Sequence, residues 1–475
     1  MTFSLNAASA NKLNPNPEMV EVAKQLIDQG FPNRIATLGQ LVRIPGIAWD
    51  AFDAANLDRS AEAVAELLKA TAVFETVEIK TATVDGKPGA PAVLAHRAAK
   101  NGKPQVLLYA HHDVQPPGDE TLWDSPAFEP TARDGRIFGR GAADDKAGIV
   151  AHIAAIEALK ASQGDDFDLG LSVFIEGEEE AGSRTFRAFL EENKAKLAAD
   201  VIIVADSMNW SPEVPALTVS LRGLVSQEFT VRTMEHAVHS GMFGGAVPDA
   251  MIPMIKVLAS LHDERGNVAI EGLKTYKFDD LPYTEENLRK DSSLLDQVSQ
   301  IGDGGLMDRI WGKPALTVIG IDVPSVATSS NTLQPSVSAK VSLRIAPGQD
   351  PNEALNRLQE HLKANLPFDA VLEFGEIETG KPFMADTSGW AASLAKSSLG
   401  AAFGNPSVDI GIGGSIPFIA DLTEVFPGAQ ILVTGVEDAD SRAHSPNESI
   451  HLVGLKNAMV AEAVFLLSCN ELQSE

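Results

Sequence analysis

The sequence predicts an α/β protein in which a mixed or parallel sheet, covered by two layers of helices, is interrupted by a smaller α+β domain. Short apolar runs alternate with helical patterns over the first 210 or so residues, and the pattern returns near the C-terminus. This order is typical of a sheet with helical crossovers. The intervening segment instead contains long alternating strands and amphipathic helices, which indicates a separate α+β layer.

The outer segments supply the predicted sheet. Its buried strands are predicted at QVLLYA from Gln105, LGLSVFI from Leu169, DVIIVA from Asp200 and QILVTGV from Gln430. Turn-forming residues bound each apolar run, as expected for buried strands. Helices are predicted at KAGIVAHIAAIEALKAS and GLKNAMVAEAVFLLSC, where apolar residues recur at helical spacing. Both chain ends therefore belong to one predicted domain, residues 1–212 and 382–475.

The inserted domain is predicted over residues 213–381. Its strands LTVSLRGLVSQEFTVRT and SVSAKVSLRIA are each followed by a helix candidate, PDAMIPMIKVLASLHD and PNEALNRLQEHLKANL. This order predicts one βαββαβ layer. Polar residues from about Asp263 to Ala315 decorate it. An insert of about 170 residues has room for one such layer and not for two.

Charge and cysteine usage restrict the partners and the compartment. The chain has 475 residues, with 38 Lys plus Arg against 65 Asp plus Glu, a formal charge of -27. Such a charge repels phosphate backbones and anionic membranes, so neither nucleic acid nor membrane is an expected partner. Cys469 is the single cysteine and fits a reducing compartment. The N-terminus does not resemble a secretory signal, and no apolar run is expected to span a bilayer. We expect a cytoplasmic protein.

Five short blocks carry His, Asp and Glu directly after predicted strands or in adjacent loops. They are YAHHDVQP with His111, His112 and Asp113, GRGAADDKAG with Asp144 and Asp145, FIEGEEEAGS with Glu176 and Glu178 to Glu180, VIIVADS with Asp206, and DSRAHSPNE with His444 and Glu448. Singly, each has a structural explanation, such as a helix N-cap or a solvated acidic loop. Together, imidazoles and carboxylates at strand ends of one sheet are the ligands that a pair of divalent ions requires.

The blocks resemble the co-catalytic zinc metallopeptidases. This family includes carnosine and cytosolic non-specific dipeptidases, glutamate carboxypeptidases, aminoacylases and succinyl-diaminopimelate desuccinylases. The resemblance covers nearly the whole chain and extends to WDSPAFEPTARDGRIFGRG, LRG at Leu221, HSGMFGG at His239, SLRIAP around Arg344 and GGSIP at Gly413. The spellings YAHHDVQP, EGEEEAGS and LRG are most similar to the dipeptidase branch.

The resemblance implies two divalent metal ions, most simply Zn²⁺, with Mn²⁺ or Co²⁺ as alternatives. One ion would be held by His111, Asp144 and Asp206. The other would be held by Asp144, Glu180 and His444, so that Asp144 bridges the pair. His112 replaces a frequent Tyr of the family and leaves a second imidazole beside the first ligand position. The motif favours His111 as the ligand.

The resemblance also implies roles in catalysis and substrate binding. Glu179 would be the general base that takes a proton from metal-activated water, and Asp113 would orient it. From the inserted domain, His239 would stabilise the developing oxyanion. The carboxylate end of the substrate would be held by Asn331, Arg344, Gly414 and Ser415.

The implied function is hydrolysis of the amide bond of dipeptides. An N-acyl amino-acid deacylase or a carboxypeptidase would use the same metal cage on a different amide and stays an alternative. A non-catalytic binding protein on this fold is less favoured, because every expected ligand and the base are present. Family members with a single-layer lid place the oxyanion histidine in the neighbouring subunit's site. The resemblance therefore implies a homodimer through the inserted domain, with His239 shared between subunits.

Overall fold

The structure is a computed structural model that describes residues 3, 5, 13–279, 281–414 and 417–474. The described residues form two compact units. The first unit lies within Met1–Val219, Ala385–Ile410 and Phe418–Glu475, and the second within Ser220–Met384 and Gly411–Pro417. The second unit thus begins a few residues later than the insert expected from the sequence, and it includes the segment Gly411–Pro417.

The helices and strands are numbered in chain order. The helices are α1 (Pro17–Val42), α2 (Ala55–Ala70), α3 (Lys146–Gln163), α4 (Phe186–Glu192), α5 (Lys194–Leu197), α6 (Ser240–Phe243), α7 (Met251–Ala259), α8 (Glu285–Ser292), α9 (Pro351–Asn365), α10 (Trp390–Phe403), α11 (Pro417–Val425) and α12 (Leu452–Glu471). The first strands are β1 (Thr76–Lys80), β2 (Thr83–Val84), β3 (Lys87–Pro88), β4 (Ala92–Arg97), β5 (Gln105–His111), β6 (Thr131–Arg133), β7 (Arg136–Phe138), β8 (Gly170–Glu176), β9 (Val201–Val204) and β10 (Ala216–Leu221). The remaining strands are β11 (Gly223–Arg232), β12 (Val238–His239), β13 (Ala315–Asp322), β14 (Thr332–Leu333), β15 (Ser336–Ile345), β16 (Val371–Gly380), β17 (Phe383–Met384), β18 (Val408–Ile412), β19 (Gln430–Val433) and β20 (Ser449–His451).

A large mixed sheet forms the centre of the first unit, in the order β1–β4–β8–β5–β9–β19–β10. Strands β8, β5, β9 and β19 run parallel, whereas β1, β4 and β10 are antiparallel to their neighbours. The register pairs His111 with Glu176 at the carboxyl ends of β5 and β8. The α/β fold class predicted from the sequence is confirmed, because both the sheet and its helical crossovers are present.

Two groups of helices cover this sheet. Helices α1, α3, α10 and α12 pack against one another, and α3 contacts β5. The second group contacts the sheet through aromatic rings: Tyr109 of β5 and Phe174 of β8 contact Phe186 of α4, and Tyr109 also contacts Phe418 of α11. Strand residues between Val106 and Ala110 are fully buried, as expected of parallel strands covered on both faces.

Helix α12 departs from the expectation that no apolar run could span a bilayer. By length and composition alone it is long and apolar enough to cross a membrane. In the structure 72% of its apolar window is buried, and it packs against α1, α3 and α10. A helix that is apolar on most faces is typical of the core of a large domain.

The second unit is built on an antiparallel sheet in the order β13–β15–β11–β16. The chain order β11, α7, β13, β15, α9, β16 is the predicted βαββαβ arrangement. Its core contains Phe229 from β11, Met254 from α7 and Leu358 from α9. Helix α8 lies in the segment that was expected to decorate this layer.

The run LTVSLRGLVSQEFTVRT does not form the single strand expected from its alternation. It breaks at Arg222 into β10 and β11, which belong to different sheets. A Cβ atom at Gly223 would lie 2.6 Å from the carbonyl oxygen of Gly380, so only glycine permits this close approach of backbones. Apolar alternation marks both strands, but it does not reveal the change of sheet.

Candidate metal centre

The centre lies at the carboxyl ends of three neighbouring parallel strands of the first unit. His111 is the last residue of β5 and is fully buried. Glu179 and Glu180 lie in the loop after β8, and Asp206 follows β9. Because parallel strands end at the same edge of a sheet, side chains from separate parts of the chain meet there.

Two groups of side chains at this edge could each hold a metal ion. The first consists of His111, Glu179 and Asp206, and the second of Asp144, Glu180 and His444. Within each group, one donor atom from every residue lies within 4.8 Å of the others. Imidazole nitrogen and carboxylate oxygen are suitable ligands for zinc and related divalent ions. The residues present therefore fit the metal that the sequence motifs imply.

Asp144 lies between the two groups. Its Oδ1 atom is 2.9 Å from His111 Nε2, and its Oδ2 atom is 3.0 Å from His444 Nε2. His444 Nε2 is also 3.1 Å from Glu180 Oε2. One carboxylate thus contacts a member of each group, which is the arrangement expected of a residue that bridges two ions.

Asp145 occupies a different environment from its neighbour. It precedes α3, but its side chain makes no capping hydrogen bond, so the N-cap explanation of this block is wrong. Its Oδ2 atom accepts a hydrogen bond from the backbone N–H of His111 at 3.3 Å, and burial raises the pKa of its carboxyl group. A Cβ atom at Gly148 would lie 2.2 Å from Asp145 Oδ1. Asp145 therefore supports the His111 backbone and belongs to neither donor group.

Asp113 contacts both His111 and the loop that carries Glu179 and Glu180. Its carboxylate accepts hydrogen bonds from the backbone N–H groups of Glu179, at 3.2 Å, and Glu180, at 3.0 Å. Its Oδ1 atom is also 3.4 Å from His111 Nδ1. Hydrogen bonds of this kind fix the orientation of ligand rings and loops. Asp113 contacts the Glu179 backbone, so any orienting effect on the Glu179 side chain acts through the main chain.

The acidic run divides into two functional halves. Glu176 accepts a hydrogen bond from the Tyr109 hydroxyl at 2.6 Å, and burial raises its pKa to about 8. Glu178 accepts hydrogen bonds from the N–H and hydroxyl of Thr185 and from the N–H of Ala90. These two carboxylates stabilise the fold, whereas Glu179 and Glu180 belong to the donor groups.

The buried carboxylates of the centre create an environment that favours the binding of a cation. Burial, together with nearby carboxylates, raises the pKa of Asp206 to about 7. Burial and Asp206 raise the pKa of Glu179 well above its usual value. Hydrogen bonds with Asp144 and Glu180 raise the pKa of His444 to about 11. Crowded carboxylates that hold protons are the environment in which a divalent cation is favourable.

Gln115 and His112, both in the segment YAHHDVQP, are neighbours of the expected ligands. Gln115 holds Glu180 through its backbone N–H, at 3.1 Å from Oε1, and through Nε2, at 2.7 Å from Oε2. No sequence pattern marks Gln115 as a site residue, although it lies within YAHHDVQP. The His112 ring instead donates from Nε2 to the carbonyl of Pro91 at 2.7 Å and lies in neither donor group. This geometry agrees with His111 as the ligand.

The remaining expected site residues lie in the second unit. His239 is exposed and ends β12, which pairs with β14 so that His239 lies opposite Thr332. Asn331 is adjacent, because its carbonyl accepts a hydrogen bond from Ser240 N–H at 3.0 Å. Arg344 lies half-buried on β15, and Gly414 is half-buried after β18. Ser415 lies outside the described residues.

Comparison with known proteins identifies the family of the chain. An α/β fold with paired donor groups at its strand ends defines a metal-dependent hydrolase. Residues 107–468 match Peptidase family M20/M25/M40. The chain belongs to this family of metallopeptidases, and the family resemblance identified from its motifs is confirmed.

Similar curated proteins are dipeptidases. A Cysteinylglycine-S-conjugate dipeptidase from Corynebacterium striatum is 36% identical over 370 residues, which are 77% of this chain and 81% of that protein. A Cys-Gly metallodipeptidase from Schizosaccharomyces pombe is 28% identical over 448 residues, covering 90% and 94% of the two chains. A Beta-Ala-His dipeptidase from Rattus norvegicus is 28% identical over 408 residues, covering 82% and 81%.

Similar solved structures establish the fold. Human carnosine dipeptidase 1 has a TM-score of 0.76 at 23% identity and covers 96% of this chain and 100% of that one. The dipeptidase Dug1p from Saccharomyces cerevisiae has a TM-score of 0.76 at 23% identity, with coverage of 95% and 98%. The M20 metallo-carboxypeptidase Sso-CP2 from Sulfolobus solfataricus also reaches 0.76 at 23% identity, with coverage of 92% and 99%. The fold is therefore shared by dipeptidases and a carboxypeptidase and does not separate them.

Proposed function

We propose that this metallopeptidase cleaves the amide bond of dipeptides with two divalent metal ions, most simply Zn²⁺. The observation that carries the proposal is Asp144, whose two carboxylate oxygens contact His111 and His444 in the two donor groups. A site with two ions suits hydrolysis of an amide, since one displacement must be stabilised at both the attacking and the leaving atoms. Mn²⁺ and Co²⁺ accept the same donors.

Each expected site residue of the first unit then has a defined role. His111, Asp144 and Asp206 would hold one ion, and Asp144 would hold the other together with Glu180 and His444. When bound, the ions polarise the substrate carbonyl and make water more acidic.

Glu179 acts as the general base: it takes the proton of the attacking water and passes it to the leaving amine. Glu179 lies in one donor group with His111 and Asp206, so its carboxylate is close to the position at which the attacking water would be held.

The second unit would provide the substrate contacts. His239 stabilises the developing oxyanion, for which an exposed imidazole N–H is a suitable donor. Arg344, with its planar fork of donors, binds the substrate carboxylate, together with Asn331, Gly414 and Ser415. These roles rest on the family resemblance of the motifs HSGMFGG, SLRIAP and GGSIP.

A substrate panel tests the function. The protein, freed of metal with a chelator and reloaded with Zn²⁺, Mn²⁺ or Co²⁺, is offered Cys-Gly, β-Ala-His, a tripeptide, an N-acyl amino acid and an N-blocked dipeptide. We expect amino-acid release from free dipeptides, and Cys-Gly is the first choice because the 36% identical relative is named for cysteinylglycine conjugates. Cleavage confined to the N-blocked dipeptide would instead indicate a carboxypeptidase, and cleavage confined to the N-acyl amino acid a deacylase.

We further propose that the protein is a homodimer that pairs through β13. This strand lies at the end of its sheet among the described strands, and it carries the exposed apolar residues Val318, Ile319 and Ile321. The opposite edge, β16, is also exposed but carries Glu373, Glu376 and Glu378. Charged residues protect an edge strand from pairing, whereas apolar residues favour it. β13 carries one charged residue, Asp322 at its end, against three on β16.

Helix α7 of the same layer also exposes apolar residues. It presents Ile252 and Ile255 at 46% and 53% exposure, while its other side packs on β15 and α9. Apolar residues exposed on a helix and on an edge strand of one layer are suited to a two-fold interface, the commonest arrangement of oligomers. In such a dimer, His239 of one subunit serves the metal centre of the other.

We also propose a cytoplasmic location. The single cysteine, Cys469, is buried and free, which suits a reducing compartment. Fractionation of cells that produce the full-length protein tests this, and recovery in a secreted or membrane fraction would contradict it.

A further inference from the structure

Glu448 lies outside both donor groups, yet its carboxylate is among the most heavily bonded in the first unit. It is fully buried and accepts a hydrogen bond from Arg140 Nη1 at 2.6 Å. It also accepts from three backbone N–H groups, those of Gly141 at 3.1 Å, Ala143 at 2.9 Å and Asp144 at 3.1 Å. Charge-assisted hydrogen bonds of this kind are strong and directional.

These bonds join two segments that are about 300 residues apart in sequence. One is the turn that precedes α3 and carries Asp144. The other is the loop that carries His444, four residues before Glu448. The backbone reinforces the junction, since Gly139 N–H donates to the Glu448 carbonyl at 3.0 Å and β20 pairs with β7.

The start of the His444 loop is anchored to the same part of the chain. Arg136 of β7 places Nη2 3.1 Å from Asp438 Oδ1 and 3.2 Å from the Ser441 hydroxyl. Between the anchors, Arg442, His444 and Asn447 have positive φ angles of 56°, 62° and 63°. Non-glycine residues are uncommon in this conformation, although Asn and His adopt it more readily than most. Both ends of the loop are therefore fixed to the segment that leads to Asp144.

The donor groups differ in what supports them. In the first group, His111 ends β5 and Asp206 follows β9, so the sheet itself positions these two residues. In the second, Asp144 and His444 both lie in loops. Their 3.0 Å contact depends on how these loops are held together. Glu448 is the side chain that bonds directly to the Asp144 backbone from the His444 loop.

We propose that Glu448 is a positioning residue that sets the separation of Asp144 and His444 and thereby the metal affinity of the group formed by Asp144, Glu180 and His444. The inference rests on the two-ion assignment of the proposed function. It goes beyond that assignment because Glu448 belongs to neither donor group. Loss of a supporting residue of this kind typically costs 10-fold to 100-fold in metal affinity.

The test compares Glu448→Gln with a matched control, Glu462→Gln. Glu462 is also a mostly buried carboxylate of the first unit, 2.7 Å from His152 Nδ1, but it does not belong to either donor group. Glu448→Gln keeps the shape of the side chain but replaces one acceptor oxygen with an NH₂ donor. This NH₂ group must face either the pair Arg140 and Gly141 or the pair Ala143 and Asp144, and all four are donors. Metal-free protein is titrated with Zn²⁺ by calorimetry and with Co²⁺ by visible absorption, and thermal unfolding is recorded for each variant.

We expect two binding events in the wild type. In Glu448→Gln, the binding event that depends on His444 as well as Asp144 should weaken by about 10-fold to 100-fold. The other event shares Asp144 but is otherwise held by His111 and Asp206 at the strand ends, so it should weaken less, and the Co²⁺ spectrum should change mainly for the first event. Glu462→Gln should lower the unfolding temperature without changing either affinity. Equal affinities in Glu448→Gln and wild type, or equal losses in both variants, would overturn the inference.

A second variant covers the case in which Glu448→Gln does not fold. Arg140→Lys keeps the positive charge and the three backbone bonds to Glu448, so it should fold and weaken the same binding event to a smaller extent. Unchanged affinity in Arg140→Lys beside an unfolded Glu448→Gln would assign Glu448 to stability alone. Wild-type protein that binds no metal would contradict the proposed function, whereas two normal binding events in Glu448→Gln would contradict only this inference.

Discussion

At the scale of single residues, Glu179 and Glu180 are neighbours in the chain but belong to different donor groups. Glu180 is held by Gln115 and contacts His444, as expected of a ligand. Glu179 lies with His111 and Asp206, and this position is compatible both with a base and with a ligand. The distinction between the two roles is chemical, since a base can be lost without loss of metal.

We therefore expect Glu179→Gln to keep two bound ions while turnover falls by about 10²-fold to 10⁴-fold, the usual contribution of a general base. Metal analysis on the same preparation as the rate measurement checks this. Glu178→Gln, one residue earlier, removes a carboxylate that only bonds to Thr185 and Ala90 and should retain most of the turnover. Loss of an ion from Glu179→Gln would make Glu179 a ligand.

Asp144 and Asp145 give a second test at this scale. Asp144 contacts both histidines of the centre, so Asp144→Ala should abolish metal binding in both groups. Asp145 belongs to neither donor group and accepts a hydrogen bond from the His111 backbone, so Asp145→Ala should retain both ions with weaker affinity. Calorimetric titration of the two metal-free variants distinguishes them. Equal stoichiometry in both variants would show that Asp144 does not bridge.

The pKa of Asp206 predicts a pH dependence of metal binding. Burial raises this pKa to about 7 in the metal-free protein, and a cation binds only the ionised carboxylate. Below pH 7 a proton must be displaced, so the affinity falls with one further power of proton concentration, whereas above pH 7 this group costs nothing. The Zn²⁺ affinity is measured by titration from pH 5.5 to 8.5. In a plot of the logarithm of the affinity against pH, the slope should be steeper by about one below pH 7. Asp206→Asn should bind more weakly and lack the steepening, and a wild-type slope without a break would refute the assignment.

At the scale of elements, the sequence predicts those parts of the fold that have a local signal. Runs such as QVLLYA and VIIVA are strands because apolar residues continue on both faces, and α3 is a helix because its apolar residues recur with the helical period. Since parallel strands end at one edge, residues after β5, β8 and β9 could be placed together before their distances were known.

The remainder depends on contacts between distant segments, which no local pattern records. The break at Arg222 is one example, since β10 and β11 alternate alike but join different sheets. The bonds from Glu448 to the Asp144 turn are another, because they link residues about 300 positions apart. Gln115 lies beside recognised ligands but has no chemistry of its own that would reveal its role.

The aromatic cluster beneath the centre gives a prediction at the scale of elements. Phe174 of β8 is 1% exposed and contacts Tyr109, Phe186 and Phe189. Phe174→Ala should destabilise the first unit by about 3–5 kcal/mol, the usual cost of removing a buried phenylalanine ring. Chemical denaturation followed by circular dichroism measures this. Phe368→Ala removes a ring that is 57% exposed and should change stability by less than about 0.5 kcal/mol.

At the scale of the whole molecule, the proposed catalytic role of His239 depends on the proposed homodimer. A chain with a formal charge of -27 resists non-specific association, so a dimer must rest on a specific apolar surface. The apolar residues Val318, Ile319 and Ile321 of the edge strand β13, with the exposed isoleucines of α7 in the same layer, are such a surface. Ile319→Lys on β13 should produce a monomer in analytical ultracentrifugation, whereas the same change at Ile377 on β16 should leave the dimer intact.

Complementation between two inactive variants tests whether the sites are shared. His239→Ala removes the proposed oxyanion donor and Glu179→Gln the proposed base, so each homodimer should be nearly inactive. In a mixed dimer, one site receives an intact Glu179 from one subunit and an intact His239 from the other, while the second site lacks both. Subunit exchange should therefore restore up to about half of the activity of a wild-type dimer in each heterodimer, by the symmetry of a two-fold assembly. Exchange can be verified by tagging one variant and isolating the mixed species. Isolated heterodimers without activity, or a fully active monomer such as Ile319→Lys, would show that each chain completes its own site.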